Sequence, residues 1–217
     1  MPEGHEGSGS GTPLRPGDIG VALAVFLLSA LVYAGLVFFM DNTNINTRNG
    51  SHIAAHLRLW VEGRPDREIF FANLLYYPVV GWGVRLLDET IFGPIWTRMA
   101  LLNSVFGGLA LGCLYIHARV LSFPRWAAMS MVVFQFGCGF FLFDSIISED
   151  IMPAFALLMM SVMLFTVAVR ADSFTALVLS AATFVLSWLF HWTLLCNLLP
   201  AFVLAFGAKT EPPEQLV

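Results

Sequence analysis

Long apolar runs separated by short polar joints set the pattern of this chain. Residues 19–40, 95–117, 126–143, 151–169 and 174–206 are nearly free of charged side chains. Crossing the hydrocarbon of a bilayer takes about 20 predominantly apolar residues in a helix, so each of the first four runs predicts one spanning helix. The last run, about 33 residues long, predicts two helices that turn near His191 and Trp192. The expected count is six spans, or seven if residues 73–87 also cross.

The polar joints have patterns of their own. Residues 41–72 form the longest connection. Its Asp41-Asn42-Thr43-Asn44 and Arg48-Asn49-Gly50 stretches are turn and cap sequences, because such side chains bond to nearby backbone groups. Within 51–62, Ile53, Leu57, Trp60 and Val61 share one helical face while Arg58 and Glu62 lie off it, the pattern of a helix lying in an interface. Residues 73–87 contain Pro78, Gly81, Gly83 and Arg85 and are short for a span, so a second interfacial or re-entrant helix is expected there. Tyr76, Tyr77 and Trp82 are expected in an aromatic belt at the interface, and Gly107, Gly108 and Gly112 at a close helix contact.

These elements predict an all-α fold, a polytopic transmembrane helical bundle with interfacial helices in its first outer loop. Residues 1–18, rich in Gly, Ser and Pro, read as a disordered tail, 19–207 as one transmembrane module and 208–217 as a short C-terminal tail. The run 19–40 is too long for the apolar core of a signal peptide and is expected to be retained.

Composition agrees with this pattern. Of 217 residues, 58% are hydrophobic and 12% charged, against about 25% charged in ordinary soluble domains. The net charge of −4 is spread over the joints, with no basic run to follow a phosphate backbone, which argues against a nucleic-acid partner. Cys113, Cys138 and Cys196 lie in separate apolar runs without CxxC spacing and read as small apolar residues.

Basic residues suggest an orientation. With the N-terminal tail inside, Arg119, Arg125, Arg170 and Lys209 all fall on the inner side, as short loops prefer. The opposing feature is the outer segment 41–98, which carries six arginines matched by nearby acids. On this arrangement Asp41, Glu149, Asp150 and His191 stand at the outer ends of helices. Carboxylates at such positions in an apolar chain are expensive and are the first candidates for chemistry.

The order of these features resembles the N-terminal transmembrane module of the GT-C superfamily of polytopic glycosyltransferases, especially the protein O-mannosyltransferase and lipid A aminoarabinose transferase branch. The resemblance lies in NLLYYPVVGWGVRLL, TRMALLNSVFGGLALGCLYIHARVL, FDSIISEDIMPAFALLMM and LFHWTLLCNLLPAFVLAF, and in their order over most of 19–207. Asn73-Leu74 stands where the family has a His-Pro start, and the family's members are longer, so the expectation is a short or truncated relative.

The resemblance implies a polyprenyl-phosphate-linked sugar as donor, at the outer face of a bacterial inner membrane or of the endoplasmic reticulum. It also implies that Asp41, just after the first span, is the general base of an inverting transfer; the alternative is that Asp41 caps the span and marks the water boundary. Glu149 and Asp150 are candidates to orient the acceptor or a divalent metal, or else form an ordinary acidic helix start after Ser148. His191 is a candidate donor-phosphate contact or an interhelical hydrogen-bonding residue. Arg58, Arg64, Arg67 and Arg98 are candidates to hold a lipid phosphate through forked hydrogen bonds, or else solvated or snorkelling side chains. His52 and His56, four apart, share a helix face as metal-binding pairs do. Two other classes remain open: a non-catalytic subunit or scaffold that supports a larger membrane protein partner, and a small lipid-binding or transport protein.

Overall fold

Pro16 stands at the first position of the first long helix, where its missing N–H costs nothing and its fixed φ suits the helix. From there the computed structural model describes residues 14–39, 48–64, 74–147 and 150–191, and among them every regular element is a helix. These are α1 Pro16–Phe39, α2 Arg48–Val61, α3 Tyr76–Leu86, α4 Glu89–Phe92, α5 Ile95–Val120, α6 Arg125–Gly137, α7 Gly139–Ile146, α8 Ile151–Ala171 and α9 Phe174–Phe190. The first helix therefore includes Pro16, Gly17 and Asp18, which by composition read as part of the tail.

Three of these helices, α1, α5 and α8, are long and apolar enough to cross a membrane. The run 126–143 does not form one straight helix. It breaks at Cys138, whose backbone is extended, into α6 and α7, bent by 64° relative to each other, and this pair makes a fourth candidate span if counted as one. Gly137 and Gly139 flank the break in open space, where a Cβ at either would meet nothing within 4 Å. The described apolar run after Phe174 is a helix of 17 residues that stops at Phe190, with His191 extended. Residues 192–206, which would supply a further span, lie outside the described residues.

A broken helix leaves backbone carbonyls without intrahelical donors. Tyr33 Oη donates to Phe136 O at 3.2 Å, beside the break. At the far end of α7, Ser104 Oγ donates to Ser145 O at 3.0 Å and Asn103 Nδ2 to Ile147 O at 2.7 Å. Tyr33 of α1 thus serves the end of α6, and the polar residues buried in the apolar α5 serve the end of α7, which explains their presence there.

Helix α5 is the central post. It runs antiparallel to α1, and small residues let the two backbones approach. A Cβ at Gly108 would fall 2.5 Å from Phe26 O, and one at Gly112 would fall 3.1 Å from Ala22 O. The close contact expected of these glycines is present. Along its other side α5 runs parallel to α8, with His117 Nδ1 and Thr166 Oγ1 3.0 Å apart near both C-termini. Helix α9 returns antiparallel to α8 after a left-handed Asp172 and a Ser173 cap. The α8–α9 seam is joined reciprocally: Ser161 Oγ donates to Ser180 O and Ser180 Oγ to Ser161 O, each at 2.9 Å.

The short helices α2 and α3 gather at the end of the bundle where α5 begins. Ile53 and Leu57 are buried, Trp60 and Val61 partly so, and Arg58 is exposed, so α2 has the face its sequence predicts. Helix α3 presses Gly81 against Trp60 and Leu57, where a Cβ would lie 2.5 Å from the Trp60 ring. Arg85 of α3 caps α2 by donating to Val61 O at 2.7 Å. Tyr76, Tyr77 and Trp82 do not form the expected aromatic belt. Tyr76 and Tyr77 are buried and meet edge to face in the apolar cluster with Ile53, Met99, Ala154 and Phe190, and Trp82 alone of the three is exposed. The short helix packs two of its ring faces on the bundle, so amphipathic tyrosines that suit an interface serve here as core.

Candidate functional site

The end of the bundle formed by α2, α3, the start of α5, the start of α8 and the end of α9 brings together several polar side chains singled out by sequence. Asp150 immediately precedes α8 and His191 immediately follows α9. Because α8 and α9 are antiparallel and locked by the serine seam, these two positions must meet. His191 Nε2 lies 3.6 Å from Asp150 Oδ1, with both side chains largely buried. Ser187 Oγ donates to Ala154 O at 2.8 Å one turn away, which fixes the approach of α9 to α8. Leu75 N–H donates to Leu189 O at 3.1 Å, tying the entry of α3 to the same corner.

Arg98 lies in the first turn of α5 beside the same apolar cluster. Its Nη1 donates to Val84 O and to Leu87 O, both at 3.2 Å, and its Nη2 reaches Glu89 Oε2 at 3.1 Å. The guanidinium therefore caps the C-terminal end of α3 and holds α4 beside it, while its buried Nε has no hydrogen-bond partner among the described residues. Asp88 caps α4, accepting from Thr90 N–H at 2.8 Å and Thr90 Oγ1 at 2.7 Å. Those two hydrogen bonds, the hydroxyl's first, hold its carboxyl below the ordinary aspartate range.

Of the sequence candidates, then, Asp150 and His191 converge, Arg98 stands at the same end engaged in the fold, and Arg58 is exposed on α2. Asp41 and Glu149 lie outside the described residues, as does the side chain of His52; His56 is half-buried in α2. Among the described residues no three His, Cys, Asp or Glu side chains gather in a way that could hold a metal ion.

Chemically, the corner offers a carboxylate beside an imidazole, a pair able to orient the ring and move a proton, and that pair is ionic only when the imidazole is protonated. Two buried acids escaped the sequence reading. Asp144, in α7, is buried near the same end. Asp18 is fully buried at the opposite end. The signal for Asp18 was present, since Pro followed two residues later by an acid is a helix start rather than a tail.

No family model matches the chain, and no curated protein or solved structure matches it.

Proposed function

We propose that the chain is a polytopic membrane protein that handles a polyprenyl-phosphate-linked sugar at the end of the bundle carrying Asp150 and His191. The observation that supports this reading is the convergence of that acid and that histidine at one end of the helices. Helix α1 finishes at this end, antiparallel to α5, and Asp41 follows Phe39 by two residues in the chain. The lipid tail lies between apolar helices and the sugar phosphate stands at the boundary beside α2 and α3.

In the transfer, an acceptor hydroxyl attacks the anomeric carbon, a new carbon–oxygen bond forms, and the bond to the carrier phosphate breaks with that phosphate as leaving group. The proton of the hydroxyl passes to a carboxylate, for which Asp41 is the candidate. Asp150 and His191 orient the acceptor or the donor phosphate, and the exposed Arg58 offers forked hydrogen bonds to it.

A second reading, a non-catalytic subunit that supports a larger membrane partner, draws on Arg98. Its guanidinium, wanted for phosphate in the first reading, is taken up by Val84 O, Leu87 O and Glu89, and so acts as a strut. The experiment that separates the two uses purified protein in lipid nanodiscs with a radiolabelled polyprenyl-phosphate sugar. The first reading expects release of the polyprenyl phosphate that is lost in Asp41→Asn. Unchanged release in that variant removes Asp41 as base, and no release by the purified chain together with copurification of a larger membrane protein supports the scaffold.

A further inference from the structure

At the opposite end of the bundle, three arginines surround one carboxylate. Asp18 is fully buried and accepts from Arg119 Nε at 3.2 Å, Arg119 Nη2 at 3.4 Å, Arg125 Nε at 3.0 Å and the backbone N–H of Arg15 at 3.2 Å. Arg119 is nearly buried and spends its Nη1 on Phe123 O, so all its donor groups face inward. Arg125 is arranged differently. Its side chain is 56% exposed, and among the described residues only its Nε is bonded, with Nη2 beside Gly17. The side chain of Arg15 is also exposed and makes no bond among the described residues.

Among the described residues, one carboxylate stands against the guanidinium groups of Arg119 and Arg125, with the exposed Arg15 adjoining, so positive charge is in excess there. Arg170 and Asp172, both exposed at the C-terminal end of α8, add no net charge at the same end of the bundle. Large apolar side chains adjoin the charges along the chain: Ile19 and Leu23 of α1, and Phe123 and Trp126 around the start of α6, are all exposed. Excess positive charge directly above exposed apolar surface is complementary to a molecule with an anionic head and a hydrocarbon tail.

The geometry points to an anionic phospholipid as the occupant of this face, its phosphate held by the Nη groups of Arg125 and by Arg15, and its acyl chains lying on α1 and beside Trp126. Asp18 has a positioning role: by binding Nε it fixes the Arg125 guanidinium and leaves its two Nη groups unbonded among the described residues, the fork that phosphate oxygens match. The site rests on the membrane reading proposed above but is independent of any sugar chemistry.

The test is native mass spectrometry of the detergent-purified chain offered equal amounts of phosphatidylglycerol and phosphatidylcholine. Phosphatidylglycerol is expected to be retained preferentially, and Arg125→Gln and Arg15→Gln each to reduce that preference about fivefold, from roughly 1 kcal/mol per basic side chain near an anionic surface. Arg15→Gln keeps the reading clear should Arg125→Gln perturb the fold, because only the backbone of Arg15 bonds to Asp18. Equal retention of the two lipids, or a preference unchanged in both variants, overturns the site. Resistance of the protein to alkaline carbonate extraction from membranes is measured in parallel: a resistant protein without lipid preference overturns the site alone, and an extractable one overturns the membrane reading and the site with it.

Discussion

The two ends of this bundle solve the burial of an acid in opposite ways. Asp18 is surrounded by guanidinium groups that are charged at any accessible pH, and the ion cluster joins α1 to the turn between α5 and α6. Asp150 has the His191 imidazole 3.6 Å away, and its surroundings are held by hydroxyl and amide bonds to backbone carbonyls. The first arrangement is a permanent clamp. The second leaves an acid and a histidine whose mutual attraction depends on a proton, which suits a site better than a fastening.

That contrast is open to breakage by substitution. Asp18→Asn strands Arg119 with little exposure and is expected to cost about 3 kcal/mol of stability, the scale of a broken buried ion pair. Asp150→Asn, which leaves no guanidinium stranded, is expected to cost less, about 1 kcal/mol, the scale of a polar contact weakened rather than a buried charge unpaired. Thermal unfolding in detergent compares the two, and equal losses would remove the distinction between clamp and site.

The α1–α5 seam leading to the clamp tests the same rigidity. Gly108→Ala places a methyl against Phe26 O and is expected to destabilise by about 2 kcal/mol through overpacking. Gly139→Ala, at the open break before α7, is expected to be neutral or stabilising by about 0.5 kcal/mol through the unfolded chain. The same unfolding measurement reads both. At the other end, Ser187→Ala removes the hydroxyl that holds α9 to Ala154 O and is expected to cost about 0.6 kcal/mol, a usual value for such interhelical bonds in membranes. Faster amide exchange at Leu189 and His191 than at Ala22 and Phe26 in this variant would confirm that the softening is local.

The smallest effect concerns Asp88. Hydrogen bonds from Thr90 depress its carboxyl in the folded state, so the stabilisation is complete above the unfolded value of about 3.9 and is lost as pH falls through the folded value. Thr90→Val should return the carboxyl toward the ordinary range in an NMR titration while leaving Asp18 with its arginines.

Hydropathy alone located much of the fold. Three uninterrupted runs became α1, α5 and α8 nearly residue for residue, because a continuous apolar stretch of that length has few alternatives to a helix. The bend at Cys138 was not visible in the same way: summed hydropathy does not register that Tyr33, Asn103 and Ser104 wait elsewhere in the chain to satisfy the exposed carbonyls. Burial of Tyr76 and Tyr77 likewise depends on α2 and α8, which no local pattern contains. Of the candidate site, the pairing of Asp150 with His191 followed from two helix ends placed on one side. The Asp18 cluster did not, since its partners lie about a hundred positions away in sequence.

The most direct test of the central claim is photocrosslinking of a polyprenyl-phosphate sugar analogue, diazirine-bearing at the first isoprene unit, to the chain in nanodiscs, with excess phosphatidylglycerol to occupy the arginine face. Peptide mass spectrometry is expected to find label on α2, α3 and the Ser187–His191 end of α9, reduced in His191→Ala. Label confined to residues near Arg15 and Arg125, or none displaced by unlabelled polyprenyl-phosphate sugar, would contradict the account.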